Sequence, residues 1–202
     1  MVIECKRATG GKWIFLHPGD MGATRETCIL LNQRDPEGET HQKWIQEDCY
    51  PESVVSAFCA VPGQSDRSKP MLERIADNLL ASVESLADEE LSVTSSVVTQ
   101  PAYRTGAHIP FSAYIPVIVT NSELAVFHFE PTKVDLGSGM VENDGGVFKS
   151  VPFVRFRKSL TTSLPSEEEA HNLKEANKQS QRTIFVVHAP ELPEFLNEWE
   201  TV

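Results

Sequence analysis

Between positions 70 and 90 the apolar residues Leu72, Ile75, Ala76, Leu79, Leu80, Val83, Leu86 and Ala87 recur three and four apart. That spacing gathers them on one stripe of an α-helix, with Glu73, Arg74, Asp77, Asn78, Glu84 and Asp88 on the other side. Ser68 as N-cap and Pro70 in the first turn mark where the helix starts. A helix with one apolar stripe must bury it against a second layer. The remaining apolar runs have strand length, so a sheet is the expected partner.

Strands are expected at residues 2–5, 12–17, 27–32, 115–120, 123–129, 151–160 and 183–187. Gly10-Gly11 predicts a hairpin joining the first two, and Asn121-Ser122 separates two of the later ones. Pro116 falls near a strand start, where a missing amide is tolerated. Residues 53–61 form a further short apolar run bounded by prolines. Residues 135–146, with four glycines and Asn143-Asp144, read as a surface loop. Within 151–160, Val154 and Phe156 alternate with Arg155 and Arg157, which places the two sets on opposite faces. Residues 190–200 predict a short closing helix.

These elements define an α/β (α+β) chain with a mixed β-sheet flanked by helices. One domain is expected over residues 1–202: a core at 1–160, a polar linker or helix at 161–182, and a C-terminal strand and helix at 183–202. There is no internal repeat. No apolar run approaches the ~20 residues that a membrane span requires. Charge within the first six residues and the lack of an apolar stretch there exclude an ordinary secretory signal. Cys5, Cys28, Cys49 and Cys59 form no C-x-x-C pair, so four reduced thiols and a cytoplasmic location are expected.

The formal net charge of -11 opposes non-specific nucleic-acid binding by the chain as a whole. Residues 145–166 depart from this average: they contain no acid and include Lys149, Arg155, Arg157 and Lys158. Arg155, Arg157 and Lys158 are therefore the candidate phosphate contacts, the alternative being an ordinary solvated strand face. The six histidines show no nucleophile–base arrangement, and His128, inside an apolar strand, reads as a core residue. The glycines at 137, 139, 145 and 146 lack the Lys-Ser/Thr and the helix of a phosphate-binding loop.

Glu4-Cys5-Lys6 is the pattern that points to catalysis. Residues i and i+2 of a strand share a face, so Glu4 and Lys6 are expected to address one cleft. A carboxylate there holds a hard cation such as Mg²⁺, and the Cys5 carbonyl offers a further oxygen. The cation polarises a phosphate and generates hydroxide, while the lysine stabilises developing negative charge. The competing reading is an exposed carboxylate–amine pair on one strand face, worth about 0.2–1 kcal/mol.

The run Val-Ile-Glu-Cys-Lys-Arg followed by Trp-Ile-Phe resembles the third core strand and its successor in the PD-(D/E)xK, or restriction-endonuclease-like, nucleases. The segment from Pro116 to Asn121, the one from Glu123 to Phe127, the helix between 70 and 90, and residues 151–159 resemble later parts of the same family in the same order. The resemblance covers about two thirds of the chain. It implies a Mg²⁺-dependent DNA endonuclease with Glu4 as metal ligand and Lys6 as catalytic lysine. It also implies a core missing its first helix and strands, including the strand whose aspartate completes the metal site. On that reading, activity is weak or absent. The opening strand becomes an exposed edge able to pair with another copy, and Asp20 or Asp35 would have to replace the missing ligand. The alternative function is a non-catalytic binding or scaffold domain.

Overall fold

The computed structural model describes residues 2–6, 11–18, 27–34, 40–47, 59–60, 71–97, 111–138, 140–141, 145–159 and 181–200. Its most continuous apolar runs form the centre of a four-stranded mixed sheet. Strands β7 (Pro116–Thr120) and β11 (Gln181–His188) lie parallel, with β1 (Val2–Lys6) parallel to β7 on its other side. Strand β10 (Phe153–Ser159) runs antiparallel to β11, giving the order β1-β7-β11-β10. Parallel strands with both faces covered read as continuous apolar runs, which β7 supplies at Val117–Val119 and β11 at Ile184–Val187.

The two faces pack against different helices. Ile118, Ile184 and Val186, with Val154 and Phe156, lie in the core formed by α1 (Met71–Val97). Val117, Val119, Phe185, Val187 and Phe153 form a second core with Phe195, Leu192 and Leu196 of α2 (Leu192–Glu200). Phe195 meets Phe153 and Phe185 with ring centres 5.4 and 5.3 Å apart, both tilted. The sheet is thus the middle of three layers. Of the stripe expected on α1, Leu72, Ile75, Ala76, Leu79, Leu80, Val83 and Ala87 are buried, whereas Leu86 is 44% exposed.

A second sheet has the order β5 (Cys59–Ala60), β2 (Lys12–Pro18), β8 (Glu123–Phe129), β9 (Gly146–Val151), with β2 and β8 parallel. A third, antiparallel sheet has the order β4 (Thr40–Glu47), β3 (Thr27–Arg34), β6 (Phe111–Tyr114). Single residues carry the chain between sheets: Ile115 separates β6 from β7, and Pro152 separates β9 from β10. Strands that switch sheets at such corners let separate sheets share one core. The third sheet is tied to α1 by polar groups. Asn32 Nδ2 donates to the Ala87 carbonyl at 2.9 Å, Ser112 Oγ to Glu90 at 2.7 Å, and the Tyr114 hydroxyl also to Glu90.

The fold class is therefore mixed α+β, and no described helix is long and apolar enough to cross a membrane. Two expectations need correction. β1 and β2 do not form a hairpin: β1 pairs with β7, β2 pairs with β8 and β5, and the two stand in different sheets. Gly11 does take a positive φ of 106°, a conformation that glycine adopts readily. Finally, the glycine-rich loop ends one residue early, because Gly146 already pairs with Phe129 as the first residue of β9. A Cβ on Gly146 would fall 2.2 Å from the Phe127 ring, so glycine is what lets that ring cover the strand. The segment from 161 to 180 lies outside the described residues.

Candidate functional site

β1 stands at the edge of its sheet, with Glu4 in register with Ile118, Cys5 with Val119 and Lys6 with Thr120. Thr120 is also in register with His188, so Lys6, Thr120 and His188 make one row at the carboxyl ends of three parallel strands. That end of a parallel sheet is where open α/β folds bind ligands. Just beyond it, Ser122 is 2% exposed, and its backbone N–H donates to Thr120 Oγ1 at 3.2 Å. The Ser122 hydroxyl is buried and has no hydrogen-bond partner among the described residues.

Electrostatically this sheet is the inverse of the chain. Glu4 is the one carboxylate in its four described strands, against Lys6, Arg155, Arg157, Lys158 and Arg182. The carboxylate of Glu4 and the carbonyl of Cys5 are oxygen donors of the type that suits Mg²⁺. Among the described residues no group of three or more His, Cys, Asp or Glu gathers to cage a cation. Asp20 and Asp35 lie outside the described residues.

The basic strand sits at the opposite edge of the sheet from β1, about 14 Å away across three inter-strand gaps. The expected alternation is present, but neither face is open. Arg155 is 1% exposed, because its face is covered by the layer that holds Phe153 and Phe185. Arg157 Nη1 donates to Gln181 Oε1 at 3.1 Å, and Lys158 Nζ lies 2.7 Å from Asp77 Oδ1 on α1. These cations tie layers together, and the fold does not bring them to Glu4 and Lys6. Nearby, the Cys28 backbone N–H donates to Thr183 Oγ1 at 2.8 Å. Burial pushes the free Cys28 thiol up, against the opposing pull of Arg182 and Arg157.

One pair of residues escaped the sequence. The parallel register of β2 and β8 sets His17 beside His128, with ring centres 4.7 Å apart and planes tilted by 45°. Both rings are half-buried, and His17 Nδ1 is buried without a hydrogen-bond partner among the described residues. Desolvation, then His17 and Lys149, hold the His128 imidazole below its ordinary range. The only sequence signal was that each histidine directly follows four consecutive apolar residues, Trp13–Leu16 and Leu124–Phe127.

No family model matches this chain, and no curated protein or solved structure matches it significantly.

Proposed function

We propose that this chain carries the Glu-x-Lys part of a Mg²⁺-dependent DNA endonuclease domain with a restriction-endonuclease-like core, working in the cytoplasm. Glu4 is the cation ligand, the Cys5 carbonyl a second donor, and Lys6 the group that stabilises charge on the scissile phosphate. The observation that carries this reading is the placement of β1. Glu4 and Lys6, two residues apart, lie in one strand, the spacing that shares one strand face, with Lys6 in the terminal row of three parallel strands. A single carboxylate among the described strands of that sheet supports weak activity, because two-oxygen clamping of a hydrolytic cation normally uses more than one anion. The test is nicking of supercoiled plasmid with Mn²⁺ or Mg²⁺, comparing the chain with Glu4→Ala and Lys6→Ala. Slow nicking removed by either substitution supports the reading. Robust cleavage would refute the claim of an under-liganded site, and cleavage indifferent to both substitutions would refute the assignment.

A second reading, a binding domain without chemistry, is favoured by a separate observation. Val147 and Phe148 on edge strand β9 are 66% and 63% exposed, and Leu136 and Met140 are 96% and 70% exposed. Exposed apolar groups mark contact surfaces where they gather into one patch. Mn²⁺ binding that disappears in Glu4→Ala argues against this version.

A further inference from the structure

We propose that His17 and His128 form a two-imidazole chelate for a borderline divalent transition cation of the Zn²⁺, Ni²⁺ or Cu²⁺ class. The assignment is independent of the nuclease reading, since these residues belong to the β2–β8 pair and not to the sheet that contains Glu4.

The register makes the chelate. Lys12 pairs with Glu123 at the start of the parallel ladder, and the same offset continues to His17 opposite His128. Two side chains at matched positions of neighbouring strands leave the same face of the sheet. Both rings are therefore presented together by backbone hydrogen bonds and need no loop to hold them.

The separation fits one shared ion. Two imidazoles bound through nitrogen at about 2.0–2.1 Å, at an angle between square and tetrahedral, keep their ring centres roughly 4.5–5.2 Å apart. The observed separation is 4.7 Å, and the 45° tilt turns the rings away from simple stacking. His17 Nδ1 supplies the chemical reason. It is a buried ring nitrogen with no hydrogen-bond partner among the described residues, and buried polar atoms of native structures ordinarily have one. A cation between the rings meets that demand.

The surroundings set the class of ion. Imidazole favours Zn²⁺, Ni²⁺ and Cu²⁺, whereas Mg²⁺ and Mn²⁺ favour carboxylate and carbonyl oxygen. Toward the core the same face carries Phe15 and Val126, which are buried and offer no competing ligand. Lys149, paired with Val126 on the neighbouring strand, is the opposing charge and weakens the site. The protein supplies two ligands, and water completes the coordination. A chelate of this kind binds reversibly.

The experiment is calorimetric titration of the full chain with ZnCl₂ and NiCl₂, with Cu²⁺-induced broadening of histidine ring resonances as a local readout. One saturable equivalent that depends on the two histidines is expected. His17→Ala and His128→Ala should each weaken it by at least about tenfold, since loss of a ligand costs no less than loss of an outer-shell partner. Lys149→Gln should tighten it severalfold. His128→Phe, which keeps a ring at that position, guards against loss of binding through misfolding, and circular dichroism confirms the fold of each variant. Binding retained by the His17→Ala/His128→Ala double variant would overturn the proposal, as would the absence of a saturable equivalent in the unaltered chain. Broadening confined to the other four histidines would overturn it as well.

Discussion

Lys158 Nζ stands 2.7 Å from Asp77 Oδ1, an ion pair that fastens β10 to α1. The lysine side chain is 13% exposed and the aspartate 40%, so the pair is more sheltered than ordinary surface pairs. A lysine neutralised in this way has little charge left for a phosphate. Lys158→Ala and Asp77→Ala should each lower stability by about 1 kcal/mol, with a double-mutant coupling of similar size, measured by urea denaturation. If the chain binds DNA, Lys158→Ala should leave the salt dependence of binding nearly unchanged, whereas loss of a true phosphate contact reduces the slope by about one.

Arg155 poses the same question at greater depth. It is 1% exposed on the face of β10 that also carries Phe153. Removal of a buried charge-bearing side chain disrupts everything arranged around it. Arg155→Ala should therefore cost about 3 kcal/mol or more, read as a lower urea midpoint. A change confined to DNA affinity, with stability intact, would show that this side chain is instead available to a ligand.

On that same face, Phe195 docks α2 through two tilted aromatic contacts and is 1% exposed. Phe195→Ala removes a buried ring and leaves a cavity. The expected loss is about 3–5 kcal/mol in chemical denaturation.

The His17–His128 pair predicts a pH response. His128 is held below its ordinary value of 6.5, first by desolvation and then by His17 and Lys149. A depressed base binds its proton more readily in the unfolded chain, so protonation favours unfolding. Stability from this group is complete above pH 6.5 and declines as pH falls through the folded-state value. Ring-proton titration in the presence of a chelator should show a low His128 midpoint that moves upward in His17→Ala and in Lys149→Gln.

Much of the architecture was visible in spacing alone. The α1 stripe and the continuous apolar runs at β7 and β11 report local periodicity, and burial follows periodicity closely. Strand partners were not visible, because β1–β7 and β2–β8 join residues more than a hundred positions apart. Gly11 has the positive φ that suits glycine, yet a Gly-Gly signal does not choose the sheet that the next strand joins. β4 escaped because Thr40-His-Gln-Lys-Trp-Ile-Gln-Glu is mostly polar, and its place is fixed by pairing with β3. For the site, Glu4 and Lys6 were readable as a strand pattern. The enclosure of Arg155 was not, because alternation shows that two faces exist but not that both are covered. The histidine pair is a product of register, which no single strand contains.

The most direct measurement of the central claim is calorimetric titration of the chain with Mn²⁺, an oxygen-seeking surrogate for Mg²⁺, beside Glu4→Ala and Lys6→Ala. One weak equivalent is predicted, lost in Glu4→Ala and retained in Lys6→Ala, because the carboxylate holds the ion and the lysine acts on the phosphate. Mn²⁺ binding equal in the unaltered chain and in Glu4→Ala, or no binding at all, would contradict it.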